Sequence, residues 1–167
     1  TILQLAKGYS ILSNGGFEIK PNLISKNSKK NKKKNRLLNK GVSEQVVSAL
    51  RKIVSTEEGT AKFANVPNYE IGGKTGTAHK SNGKSGYASN RYDAFFVGVA
   101  PISAPRIVVA IVVDQPTAGS HYGGEVAAPV FAAITNGALR VLNVAPDSAF
   151  KDLVKTPEML QQVSMQR

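Results

Sequence analysis

Apolar residues at Ile2, Leu5, Ala6, Tyr9 and Leu12 recur at helical spacing, which predicts an amphipathic helix over 2–12, closed by Asn14-Gly15-Gly16. Because Thr1-Ile2-Leu3-Gln4-Leu5-Ala6 already reads as helix, the chain is expected to begin inside an element and to be part of a larger domain. Phe17 to Ile24 alternates weakly around Pro21 and predicts a short edge strand. A second helix is expected with Ser43 as its N-cap and Val46, Val47, Leu50, Ile53 and Val54 on one face, ending before Gly59. An irregular stretch from Thr60 leads through Pro67-Asn68 into a strand over Tyr69 to Ala78. Tyr92 to Ala100 predicts a second strand and Pro101 to Pro105 a turn. The unbroken run Ile107 to Val113 then suits a central strand covered on both faces. Gly123-Gly124 opens a last apolar helix, with Pro129 tolerated in its first turn. The fold class read from this pattern is α+β: a three-strand antiparallel meander over 69–114, flanked by helices and covered by a helix over 125–142. One sheet face is left short of a partner, and its cover is expected upstream.

Composition narrows the class. With 167 residues, 41% of them hydrophobic, the chain suits one globular domain or a part of one. It has no apolar run of membrane-spanning length and no basic-then-apolar leader, so any membrane anchor is expected outside it. Zero Cys excludes a disulfide framework and a cysteine nucleophile, and only two His argue against a multi-histidine metal site, so neither metal nor cofactor is expected. The net charge of +11 invites a nucleic-acid reading, but Lys26 to Lys40 alone supplies +8 without one acid. That tract, 26–40, can bury little and reads as a basic mobile surface loop; electrostatic docking to an anionic polymer or lipid is its functional alternative. With no aromatic residue among the lysines to stack on bases, no nucleic-acid partner is expected.

The candidate chemistry sits in Ile71-Gly72-Gly73-Lys74-Thr75-Gly76-Thr77-Ala78. On a strand, Thr75 and Thr77 share one face and Lys74 takes the other, so all three serve one cleft only from an edge strand along its wall. There the two hydroxyls can donate to a carboxylate, Lys74 adds a positive field, and Gly76 lets a ligand backbone approach. The Thr77 N–H can polarise a developing oxyanion. A lone Lys-Thr-Gly is weak evidence, since an ordinary glycine-bearing strand carries it by chance.

The surrounding blocks are more specific. Leu3-Gln4-Leu5-Ala6-Lys7-Gly8-Tyr9, Gly73 to Ala78, Phe96-Val97-Gly98-Val99-Ala100-Pro101 and Tyr122 to Phe131 together resemble the class B penicillin-binding transpeptidases. The last block, with Val113-Asp114-Gln115-Pro116 before it, is most similar to their division-specific branch. Lys-Thr-Gly is one of that family's three site elements. The resemblance implies the C-terminal part of a β-lactamase/transpeptidase-like domain. It also implies a serine that attacks the carbonyl between the last two D-alanines of a peptidoglycan stem peptide and passes the acyl group to a neighbouring amine. Carried over by position, Lys74 supports proton transfer, Thr75 and Thr77 bind the substrate carboxylate with Gly76 beside them, and the Thr77 N–H forms half of the oxyanion hole. Implied partners are stem peptides, β-lactam antibiotics and division proteins. The implied location is the periplasmic face of the inner membrane. A D,D-carboxypeptidase or β-lactamase relative, and a non-catalytic penicillin sensor, are the alternatives.

The family's serine-lysine and Ser-x-Asn elements are expected to precede this chain. Ser81-Asn82-Gly83-Lys84, Ser148-Ala149-Phe150-Lys151 and Ser25-Lys26-Asn27 match the patterns, but 14 serines in a lysine-rich chain produce such matches by accident. They are read as decoys, and the chain alone as inactive. His79 and His121 are weighed as general bases and read as rim histidines, because the family assigns serine activation to a lysine. Asp93 and Asp114 are read as capping or salt-bridge residues, and Phe95-Phe96 as core and cleft wall.

Overall fold

The structure, a computed structural model, describes residues 1–24, 35–83 and 86–148. Helix α1 spans Ile2–Ser13 and is closed at its start by a capping box: Thr1 accepts from the Gln4 amide, and the Gln4 side chain reaches back to the Thr1 amino group. Helix α2 spans Lys40–Ser55, starting four residues earlier than a Ser43 N-cap implied. Its N-cap is Asn39, whose side chain accepts from the Gly41 amide. Ser43, expected as the cap, is instead buried inside the helix, and its hydroxyl donates to the Leu12 carbonyl of α1. Phe17 to Ile24 does not form the expected edge strand; only Phe17 makes an isolated antiparallel bridge, to Arg36, whose guanidinium lies 4.1 Å from the Phe17 ring. Beside that bridge the Glu18 amide donates to the Asn35 carbonyl at 2.8 Å, and residues 21–24, which begin with Pro21, are exposed. The tract 25–34, including Ser25-Lys26-Asn27, lies outside the described residues, as do Lys84 and Lys151.

Strands β1 (Gly72–Ser81), β2 (Tyr87–Ala100) and β3 (Ile107–Asp114) form an antiparallel sheet in the order β1-β2-β3. Helix α3 (Gly123–Val141) follows, and a short 3-10 turn, Lys62–Ala64, precedes the sheet. The architecture is α+β. The strand that is central is β2, which pairs on both sides; β3, expected in the centre from its unbroken apolar run, has a partner on one side only among the described residues. Its residues are accordingly half-buried rather than buried, and Val112 is 38% exposed.

The two sheet faces are covered differently. Phe96 is fully buried and meets Phe131 of α3 edge-on at 4.7 Å between ring centres. Around this pair Val54, Ala61, Ala64, Val66, Ile71, Ala127, Ala128 and Leu139 form the core. Phe95 points to the opposite face, towards Ile2 and Leu5 of α1. The sequence reading left this face bare; α1 covers part of it and leaves an apolar cleft of about 590 Å³ between Thr1, Ile2, Leu5, Asp93, Phe95 and Val112.

Candidate active site

The register places Lys74, Thr75, Gly76 and Thr77 opposite Val97, Phe96, Phe95 and Ala94. Thr75 and Thr77 therefore lie on the Phe96 face with α3, and Lys74 on the Phe95 face. Among the described residues β1 pairs only with β2, so the Lys74–Thr77 segment has an open edge. Lys74 curls round that edge: its ammonium donates to the Thr75 carbonyl at 3.1 Å and to Thr75 Oγ1 at 3.3 Å. Lys74 and Thr77 are exposed, Thr75 and Gly76 half-buried. The alternation that separates Lys74 from the threonines is thus overcome by the length of the lysine stem.

The start of α3 is seated directly against this segment. A Cβ at Gly123 would stand 2.1 Å from the Phe95 carbonyl and 2.5 Å from the Gly76 carbonyl, so no other residue permits this approach. The Tyr122 N-cap has no side-chain capping bond. The first amide of the helix, one of its orphan donors, instead finds Thr77: Gly123 N–H donates to Thr77 Oγ1 at 3.2 Å. An amide can only donate, so the Thr77 hydroxyl accepts there and keeps its own proton for a ligand. The positive end of the 19-residue helix adds to the Lys74 field at the same place.

The carboxylates weighed in the sequence are ion-paired. Lys80, on the same strand, donates to Asp114 at 2.5 Å and lies 3.6 Å from Asp93. That bond pulls the Asp114 carboxyl below its ordinary range and pushes the Lys80 ammonium above its own. His79 and His121 come together through Tyr92: His121 stacks on its ring at 4.0 Å, and His79 approaches it, tilted, at 4.4 Å. Tyr122 continues the stack beyond His121 at 4.4 Å. These rings form an aromatic wall beyond the Thr77 end of the strand.

Ser81 ends β1 as an exposed residue, its hydroxyl accepting from the Gly83 amide at 3.2 Å. Ser148 lies before the start of the strand, where its amide donates to the Asn68 carbonyl. The sequence reading missed one neighbour altogether. Thr60, in the loop after α2, lies with its hydroxyl 3.1 Å from Thr75 Oγ1. No local pattern marks it, because the contact joins segments 15 residues apart. Gly123-Gly124 was read as a helix lead-in; two glycines in a first helical turn, where they weaken a helix, were the available sign of a close approach.

The pattern of the penicillin binding protein transpeptidase domain matches residues 1–136. The chain belongs to that family. Among curated relatives, the peptidoglycan D,D-transpeptidase FtsI of Escherichia coli K12 is 38% identical over 148 residues, 89% of this chain and 24% of that protein. The probable D,D-transpeptidase PbpC of Pseudomonas aeruginosa is 35% identical over 145 residues, 87% of this chain and 25% of its own length. Among solved structures, the apo transpeptidase domain of Burkholderia pseudomallei penicillin-binding protein 3 superposes with a TM-score of 0.78 at 40% identity. It covers 87% of this chain, which in turn covers 44% of it. The chain therefore spans about a quarter of these two curated transpeptidases and less than half of the solved domain. Among its described residues no helix is long and apolar enough to cross a membrane, and no three His, Asp or Glu gather as a metal site would need.

Proposed function

We propose that this chain supplies the substrate-holding side of a serine D,D-transpeptidase that cross-links peptidoglycan stem peptides. The observation that carries the reading is the open-edged Lys74–Thr77 segment with the Thr77 hydroxyl held as a donor by Gly123 N–H. In this reading Thr75 and Thr77 donate to the terminal carboxylate of the stem peptide, Gly76 lets its backbone lie along the strand, and Lys74 supplies the positive field. The Thr77 N–H polarises the carbonyl under attack. A serine hydroxyl adds to the carbonyl between the last two D-alanines. The C–N bond breaks, D-alanine leaves as the amine with the proton, and the ester is then opened by an amine of a neighbouring stem. The serine, its lysine partner and the Ser-x-Asn element come from outside residues 1–167, and the chain alone is inactive. β-Lactams occupy the same place as mimics of the terminal dipeptide.

The similarity of Tyr122–Phe131 and of Val113–Pro116 to the division-specific branch supports a septal role beside division proteins, at the periplasmic face of the inner membrane. The test is D-alanine release by the full-length protein from a stem pentapeptide, with and without an acceptor amine. Cross-linked product that is abolished by penicillin, and reduced by Thr77→Val, is the expected outcome. Release to water alone would make it a carboxypeptidase, and no release with intact folding would leave a sensor.

A further inference from the structure

Thr60 lies outside the blocks that carry the family resemblance, yet three pieces of chain hold it in place. Flanking it, the Gly59 amide donates to the Thr56 carbonyl at 3.0 Å and the Ala61 amide to the Ile53 carbonyl at 3.3 Å. A Cβ at Gly59 would stand 2.2 Å from the Ile53 carbonyl, and one at Gly124 would stand 2.2 Å from the Thr60 carbonyl. Glycine at both positions is what allows the end of α2, Thr60 and the first turn of α3 to meet. Thr60 Oγ1 is thereby brought 3.1 Å from Thr75 Oγ1, which also receives the Lys74 ammonium at 3.3 Å. Thr60 and Lys74 share the lining of a surface cleft of about 330 Å³.

We propose that Thr60 is a positioning residue for carboxylate recognition: its hydroxyl donates to Thr75 Oγ1 and thereby turns the Thr75 proton towards the substrate. The inference rests on the reading of Thr75 given under Proposed function. A hydroxyl has one proton and two acceptor lone pairs. The Lys74 ammonium, which can only donate, occupies one lone pair of Thr75 Oγ1. Donation from Thr60 occupies the other, so the Thr75 proton is left for the open side. Gly123 N–H imposes the corresponding state at Thr77. Between two hydroxyls the direction of the bond can reverse; an arriving carboxylate selects the sense Thr60 to Thr75 to carboxylate, in which each bond polarises the next. Thr60 touches no reacting atom in this scheme and acts only through Thr75.

The test compares acylation of the full-length protein by benzylpenicillin and by its methyl ester, which lacks the carboxylate. Thr60→Val removes the hydroxyl and keeps the shape; Thr60→Ala serves where the valine variant does not fold, and Thr60→Ser restores the hydroxyl. The expected result is a roughly three- to tenfold slower acylation by the free acid in T60V, the worth of one hydrogen bond. The ester rate is unchanged, T60S behaves as wild type, and T60V causes no further loss when Thr75 is already valine. Equal losses for acid and ester, additivity with T75V, failure of T60S to rescue, or no loss at all would overturn it. If T75V itself leaves the free-acid rate untouched, the carboxylate reading of the strand fails as well; if only T60V is silent, that reading stands and the role of Thr60 falls.

Discussion

At the scale of single residues, the Lys80 ammonium between Asp114 and Asp93 ties the far end of β1 to β2 and β3. The Asp114 carboxyl is depressed below its ordinary 3.8 first by its bond from Lys80, and Lys80 is raised above its ordinary 10.5 first by the same bond. A depressed acid contributes stability above its unfolded pKa and loses it as pH falls through the folded value. A raised base contributes below its unfolded pKa and loses it as pH rises through the folded value. Asp114→Asn should therefore lower the melting temperature slightly across the plateau between those limits. The gap should close in strong acid and again in strong base, as thermal melts at several pH values would reveal; a gap that does not change with pH would rule out the ion pair as its source. The two aspartates were legible as capping or salt-bridge residues because neither has a second carboxylate nearby in sequence, although β2 starts at Tyr87 and so places Asp93 in mid-strand rather than at the expected strand end. Alternation likewise sufficed to separate Lys74 from Thr75 and Thr77. Thr60 was not legible, since its hydrogen bond to Thr75 is closed only by folding.

At the scale of elements, the site depends on the first turn of α3 lying against β1 and β2. Gly123→Ala forces a Cβ within 2.1 Å of the Phe95 carbonyl, so helix and strand must separate. Penicillin acylation of the full-length protein should fall on the order of 100-fold, the effect of an ångström-scale misplacement. Unchanged acylation would show that this contact does not set the strand. Behind the site, Phe131 holds α3 to the sheet through Phe96 and stands where Gly98 leaves room, a Gly98 Cβ being 2.5 Å from its ring. Phe131→Ala should cost about 3–5 kcal/mol in denaturant unfolding, because the void is closed in by Phe96, Ala128 and Leu139. The helices and the meander announce themselves through period and punctuation. The place of β3 does not: an apolar run reports burial on two faces but not which strand lies beside it, and here β2 takes the central position. The start of α2 was misplaced for a related reason, since a buried serine bonded to a neighbouring helix looks like a cap in sequence.

At the scale of the molecule, the two sheet faces divide the labour. The α3 face is closed by the aromatic core and orients Thr75 and Thr77, while the α1 face carries Lys74 and keeps an apolar cleft of about 590 Å³. The resemblance to class B transpeptidases was readable from four ordered blocks, and the structural likeness to a penicillin-binding protein 3 domain accords with it. What the sequence left open was which packing contacts hold Lys74 and the two threonines at the edge that it called for. The open edge, the curled Lys74 and the Gly123 amide are products of packing between distant segments. The proposed division between a substrate-holding strand here and a nucleophile outside residues 1–167 is tested most directly by labelling the full-length protein with penicillin and mapping the modified serine by mass spectrometry. The expected result is one adduct, on a serine outside residues 1–167, whose formation slows when Thr75 or Thr77 is replaced by valine. An adduct on Ser81, Ser148 or Ser25 would contradict it.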